Sequence, residues 1–236
     1  MAMPGEGCFV AWYDLASRRG ADHDHWHSHE HMIERLAILG FLQGARYRAL
    51  DDGKRTCVIY QTESVETLAS PAYLERLNAP TSWSQRAVGM IEGMNRTLAR
   101  VASSHGAGLG GYLMTAQLSP EPGQAETLRN WLADDAMPTL AGQAGLNAAH
   151  LLIADADASA LPTEEKAIRR APDEVADWVL LVEGYDQAAA EQALASLNGA
   201  GGLIDHGATA GSGFGLYTLD FALSGTEAKA LWRPPG

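Results

Sequence analysis

Residues 23–41, HDHWHSHEHMIERLAILGF, return in outline 105 positions later as residues 128–146, LRNWLADDAMPTLAGQAGL. Trp26 falls on Trp131, Met32 on Met137 and Gly40 on Gly145 without a gap, and Glu30 falls opposite Asp135. Anchors held in register mark an internal repeat, and a repeat decides the architecture. Ahead of the first copy, Cys8 to Leu15 reads as a strand. A polar loop, Ala16 to Asp24, leads into a helix that Asp24 can cap and Gly40 can stop. Strands are expected over residues 42–50 and 56–62, joined by the Asp51-Asp52-Gly53 turn. Ser64 to Leu77 reads as a second helix, kinked near Pro71. A short helical piece from Trp83 and a strand from Asn95 to Val101 complete the order β-α-β-β-α-β, the ferredoxin-like arrangement.

After the Gly/Ser-rich joint Ser103 to Gly111 the order begins again. Strand three reappears as Trp178 to Glu183 at an offset of 121, with Thr56 opposite Asp177, and the same offset brings Thr97-Leu98 onto Thr218-Leu219. The change from 105 to 121 predicts an insertion of 16 residues within Ala154 to Asp173, a polar stretch carrying Pro162 and Pro172. The expected division is residues 1–103, a linker over 104–111, and residues 112–236. Each four-stranded antiparallel sheet has helices on one face only, so its bare face needs cover. The predicted fold is therefore α+β: two tandem ferredoxin-like units whose sheets pack against each other as a barrel within one chain. Pairing of two whole chains stays open.

With 46% apolar and 19% charged residues the chain can bury a core. A formal net charge of −12 argues against nucleic acid and against an anionic membrane surface. No apolar run reaches the length of a membrane span, and the N-terminus lacks the pattern of a secretion signal. Cys8 and Cys57 each sit in an apolar run without a CxxC motif, which suits reduced, buried thiols and a cytoplasmic protein.

Five of the eight histidines alternate from His23 to His31. On a regular helix His27 and His31 are i, i+4 neighbours on the polar side with Glu34. His29 falls within the apolar arc of Trp26, Ile33, Leu36 and Ala37. Three readings compete. The first is a solvated helix start with one buried core histidine. The second is a general acid/base histidine at the mouth of a cavity, with Glu30 or Glu34 to orient it. The third is a haem or metal site. His27 and His31 could share a metal, but no third ligand stands at a diagnostic spacing, and H-S-H-E-H is not HExxH.

Trp26, the run Glu30-His31-Met32-Ile33 and then Gly40-Phe41 resemble the aromatic–His–x–Pro–Gly pattern of EthD-like proteins, members of the dimeric α/β-barrel superfamily. In that pattern the histidine lies nine residues before the glycine, which is His31. A proline two positions later is replaced here by Ile33, whereas the second copy keeps Pro138 and has Ala136 in place of the histidine. The resemblance implies cofactor-independent isomerase, cyclase, decarboxylase or monooxygenase chemistry on small aromatic or lactone-like molecules. Some members bind haem, and a non-catalytic binding protein of this fold is a further alternative.

The candidate catalytic residues are His31 or His29, with Glu30. Candidate substrate-binding residues are Trp12 and Asp14 on strand one, Tyr47 and Tyr60 on strands two and three, and His206 beside the Gly207 to Gly215 loop. That loop precedes a strand, so it lacks the helix N-terminus that binds phosphate. Arg86, Arg96 and Arg100 read as solvated surface. No resident cofactor or metal is expected; the expected partner is a small-molecule substrate. The histidines occur in one copy only, which places one working cavity in the N-terminal half.

Overall fold

The computed structural model describes residues 3–16, 20–169, 172–211 and 213–233. Residues 17–19 of the expected loop, 170–171 of the expected insertion and Ser212 of the glycine-rich loop lie outside them. Eight strands form: β1 (Gly7–Leu15), β2 (Phe41–Ala49), β3 (Thr56–Thr62), β4 (Ile91–Gly106), β5 (Tyr112–Leu118), β6 (Leu146–Ala154), β7 (Trp178–Gly184) and β8 (Gly213–Ser224). They hydrogen-bond in the order β1-β3-β2-β8-β5-β7-β6-β4, and β4 closes on β1. All these ladders are antiparallel, and β2 with β8 and β4 with β6 join the two halves. The covering of bare faces expected from the sequence is thus achieved by one continuous closed barrel, which also removes every sheet edge.

β4 is longer than expected. Ser103 to Gly106 pair with Leu151 to Ala148 of β6, so the first part of the predicted 104–111 linker is strand. Gly and Ser are poor strand formers, but a waiting partner strand overrides local preference.

The ladders also correct the register of the second copy. Gly7 pairs with Thr62 and Tyr112 with Gly184, offsets of 105 and 122. Gly7 pairs with Arg100 and Tyr112 with Thr218, offsets of 105 and 118. Thr56 therefore stands with Trp178, not Asp177, and the Thr97-Leu98 match to Thr218-Leu219 is coincidental. A slip of one residue turns every side chain to the other face. Trp178–Gly184 is buried throughout and shows no alternation that could have fixed the register from sequence.

Inward-facing side chains from all eight strands fill the barrel, among them Cys8, Val10, Trp12, Ala45, Tyr47, Cys57, Leu113, Leu181 and Tyr217. Both thiols are free and buried, and burial pushes their pKa values up. The outer faces carry two further cores under helices. One joins Phe9, Ala11, Tyr13, Val58 and Tyr60 to Met32, Leu36, Tyr73 and Leu77. The other joins Met114, Ala116, Leu118, Leu180 and Val182 to Leu128, Leu132, Met137 and Leu140.

The helix after β1 is α1 (Gly20–Trp26), a single π turn His27–His31, and α2 (Met32–Leu36). The π turn is explicit in the hydrogen bond from Met32 N–H to the His27 carbonyl, five residues back. The second half repeats it 105 residues on. There α5 (Ala125–Trp131), a π turn Leu132–Ala136 and α6 (Met137–Gly142) follow one another, with Met137 N–H bonded to Leu132. Gly40 and Gly145 then both turn the chain at φ 90°, a conformation that suits glycine.

The expected kinked helix is a 3₁₀ turn Val65–Ala69 followed by α3 (Pro71–Asn78), with Pro71 at the helix start and Ser70 as its cap. α4 (Ser82–Val88) follows. The insertion carries α7 (Ala156–Ala160) and α8 (Glu164–Arg169). It crosses onto the first half: Glu174 exchanges backbone hydrogen bonds with Met94 and Arg96, and Glu164 N–H is accepted by Asn78 Oδ1. α9 (Gln187–Asn198) and α10 (Gly225–Leu231) complete the helices of the described residues. None of those helices is long and apolar enough to cross a membrane.

Candidate active site

A recess lies between the outer face of the first half's strands and its helices. It holds about 520 Å³ of empty space, open in part to solvent. The recess is narrow. Trp26, His27, His31 and Arg35 come down from the helix; Phe9, Ala11 and Tyr13 rise from β1; Val58 and Tyr60 rise from β3; Met94 and Arg96 rise from β4. Glu165 and Arg169 close one side from α8, so the insertion of the second half completes the site of the first.

The π turn explains which histidines face the recess. A wider turn keeps positions spaced by four in one stripe, so His23, His27, His31 and Arg35 point toward the strands. His29, inward on a regular helix, is exposed; its Nδ1 lies 3.0 Å from the His25 carbonyl oxygen, and its ring packs 4.3 Å from that of His25. Glu30 also faces away and accepts hydrogen bonds from Thr81 (2.6 Å) and Ser84 (3.0 Å), pinning α4 to the helix. Of the residues expected to line a site, His31 and Tyr60 meet in the recess. The others do not. Trp12 and Tyr47 point into the barrel, Asp14 accepts Arg55 N–H (2.9 Å) near the barrel rim, and His206 stacks 3.9 Å from Trp131 in the second half. A cavity between the two sheets was expected, but packed side chains occupy that space. Arg100 pairs with Glu66 and Asp155 at the surface, whereas Arg96 is buried at the recess.

Sequence reasoning did not place His23, Tyr13, Arg35 or Glu165 at this recess, and weighed His27 only as a partner of His31 in a metal site. His27 Nε2 lies 3.4 Å from Tyr60 Oη. Arg35 pairs with Glu165, both nearly buried, and Glu34 Oε2 stands 3.6 Å from Arg35. Four buried atoms around the recess have no hydrogen-bond partner, His27 Nδ1, His31 Nδ1, Arg96 Nη1 and Arg35 Nη1, the last with only the longer ion pair to Glu34. Leaving such a group unpaired costs about 1–3 kcal/mol, so their concentration around one recess marks a place where a ligand's polar atoms would complete them.

The imidazoles are neutral. Burial, and then the nearby charges of His31, Arg46 and His23, hold His27 well below the ordinary value of 6.5. Burial and then Arg35 do the same for His31. His23 is also lowered by burial, with its Asp24 hydrogen bond opposing. Groups that stay neutral in the fold but protonate on unfolding contribute stability above pH 6.5, which is lost as the pH falls through their depressed values. Each contributes a slope of about 1.4 kcal/mol per pH unit in that window. The urea midpoint is therefore expected to fall between pH 7 and pH 5, and to fall less in His27→Leu; an equal fall in that variant would remove His27 from the titration.

The ladders identify what stands at equivalent places in the second half. At an offset of 105, Tyr13 becomes Leu118, His27 becomes Leu132, His31 becomes Ala136 and Arg35 becomes Leu140. At 122, Tyr60 becomes Val182, and at 118, Arg96 becomes Phe214. All six belong to or pack against the apolar core there. The same backbone thus carries a polar recess on one side and a filled core on the other.

No family model matches the chain, and no curated protein matches its sequence. Solved structures do match. An anthrone oxidase-like protein superposes with a TM-score of 0.59 at 12% identity, over 94% of each chain. A candidate monooxygenase from Fusobacterium nucleatum subsp. nucleatum gives 0.57 at 8% identity, over 94% of this chain and 96% of that one. A candidate chlorite dismutase gives 0.53 at 13% identity, over 95% and 96%. At these identities the likeness concerns the backbone, and the chain shares the overall fold of these structures.

Proposed function

We propose that the chain is a cofactor-independent enzyme that transfers a proton on a small, flat, oxygenated molecule of aromatic or lactone type. The single observation behind this reading is the contrast between halves: six polar or aromatic recess residues face six apolar counterparts on an equivalent backbone. The fold is satisfied by Leu, Ala, Val and Phe there, so the polar set needs another reason. In the same reading the chain is two ferredoxin-like units in tandem, an EthD-like member in which one unit keeps the site.

His31 takes the proton. Its imidazole is neutral, and Trp26 packs 4.4 Å from its ring, fixing its plane. Removing a proton beside a carbonyl leaves charge on oxygen, and the unpaired Arg96 Nη1 is the group placed to receive it. His27, held by Tyr60, offers a further neutral nitrogen to the same molecule. The narrow recess favours a single ring. It suits a haem macrocycle less well, and among the described residues no three His, Cys, Asp or Glu side chains stand together to hold a metal. The proposed chemistry uses neither.

Isomerisation of α-angelica lactone tests this directly. Loss of a proton from C3 gives a dienolate with charge on the carbonyl oxygen, and return of a proton to C5 gives the conjugated isomer. The wild type is expected to accelerate the shift, read by ultraviolet absorbance, and His31→Gln to lose about 100-fold or more of that rate. Binding of the lactone without isomerisation would favour the non-catalytic alternative.

A further inference from the structure

One chain of groups reaches the recess from the surface. Tyr13 lines the recess, and its Oη lies 3.2 Å from His23 Nε2. His23 Nδ1 lies 3.2 Å from Asp24 Oδ1. Tyr13 and His23 are buried, while Asp24 is partly exposed and held by Arg48 at 2.5 Å and Arg55 at 3.2 Å. The order of groups settles the protons. A carboxylate at Nδ1 favours the N–H there, which leaves the Nε2 lone pair to accept from the Tyr13 hydroxyl. This is the arrangement by which an imidazole held by a carboxylate takes the proton of a hydroxyl. Independently, buried Arg96 has no ion pair among the described residues, and its Nη1 is without a partner at the same recess.

We propose that the ligand carries an acidic hydroxyl, an enol or a phenol, which Tyr13 deprotonates with His23 and Asp24 as positioning residues, so that it binds as an oxyanion against Arg96. This rests on the recess being the proton-transfer site. The ligand O–H bond breaks and its proton goes to Tyr13 Oη, while the Tyr13 proton passes to His23 Nε2. The electron pair stays on the ligand oxygen beside Arg96, and the new imidazolium lies beside the Asp24 carboxylate. In the free protein burial keeps Tyr13 protonated and, with Asp24 opposing, lowers the proton affinity of His23, so the relay rests neutral and the proton moves only as the ligand anion settles beside Arg96.

The probe is 4-nitrophenol, a single flat ring whose anion absorbs in the visible. At a pH about one unit below its own midpoint, most of it is neutral in solution. Wild type is expected to bind it as the yellow anion. Tyr13→Phe is expected to bind it with the ionised-to-neutral ratio lowered about ten-fold or more, the equivalent of one pKa unit. Asp24→Asn should lower the same ratio while leaving Tyr13 and Arg96 in place. Failure to bind, binding as the neutral phenol, or equal ionisation in wild type, Tyr13→Phe and Asp24→Asn overturns the relay. Loss of lactone isomerisation in His31→Gln, measured separately, decides the reading on which it rests.

Discussion

Arg35→Leu is expected to destabilise the protein by about 3–5 kcal/mol, the cost of stranding a buried charge. Arg35 and Glu165 are respectively 2% and 8% exposed as side chains and are paired across 130 residues of sequence, between α2 and α8. Removing the guanidinium leaves Glu165 and the neighbouring Glu34 in an apolar setting without their cation. The double variant Arg35→Leu/Glu165→Leu should recover most of the loss, because two well-packed apolar side chains often match or better a buried pair. The second half supplies the precedent, with Leu140 buried at the place of Arg35. Urea unfolding of both single variants and the double gives the coupling. Additive losses would mean that the two side chains act separately, and that α8 is not tied to the site through this pair.

The antiparallel barrel of α+β class was legible because Trp, Met and Gly anchors recur at one spacing of 105 and two bare sheet faces need cover. What failed was register where the chain gives no alternation. WVLLVE is buried on both faces, so a slip of one residue left no mark in the hydrophobic pattern. The histidine stripe failed for a different reason. A helical wheel assumes one turn size throughout, and a single π turn between His27 and Met32 turns His29 outward and His27 inward. His31 and Tyr60, named from the sequence, line the recess; Tyr13 and Arg35 were not expected there, and Arg96 was read as surface. A signal for two of the missed residues was present in the repeat itself: His27 against Leu132 and Arg35 against Leu140 set polar against apolar at matched places. Glu165 had no such signal, because it lies in the insertion and reaches the site only through the packing of α8 on the first half.

The largest effect on function is expected from giving the first half the second half's residues: His27→Leu, His31→Ala and Arg96→Phe together. Isomerisation of the lactone should vanish, since the proton acceptor and the oxyanion partner both go. Stability should hold or rise. Three unpaired buried groups disappear, each worth about 1–3 kcal/mol, against a repacking cost of about 1–3 kcal/mol for a recess that was not shaped for a phenyl ring. His31→Ala opens space while Arg96→Phe fills it, and the counterpart set is already packed around Met114 and Leu118 in the second core.

The central claim is that the polar recess serves chemistry and that the fold does not need it. The urea unfolding curve of this triple variant tests that most directly. An unchanged slope with a midpoint at or above that of the wild type is the predicted result. A loss of more than about 3 kcal/mol, beyond the worst expected from repacking, would show that the histidines and Arg96 hold the first half together and would contradict the claim.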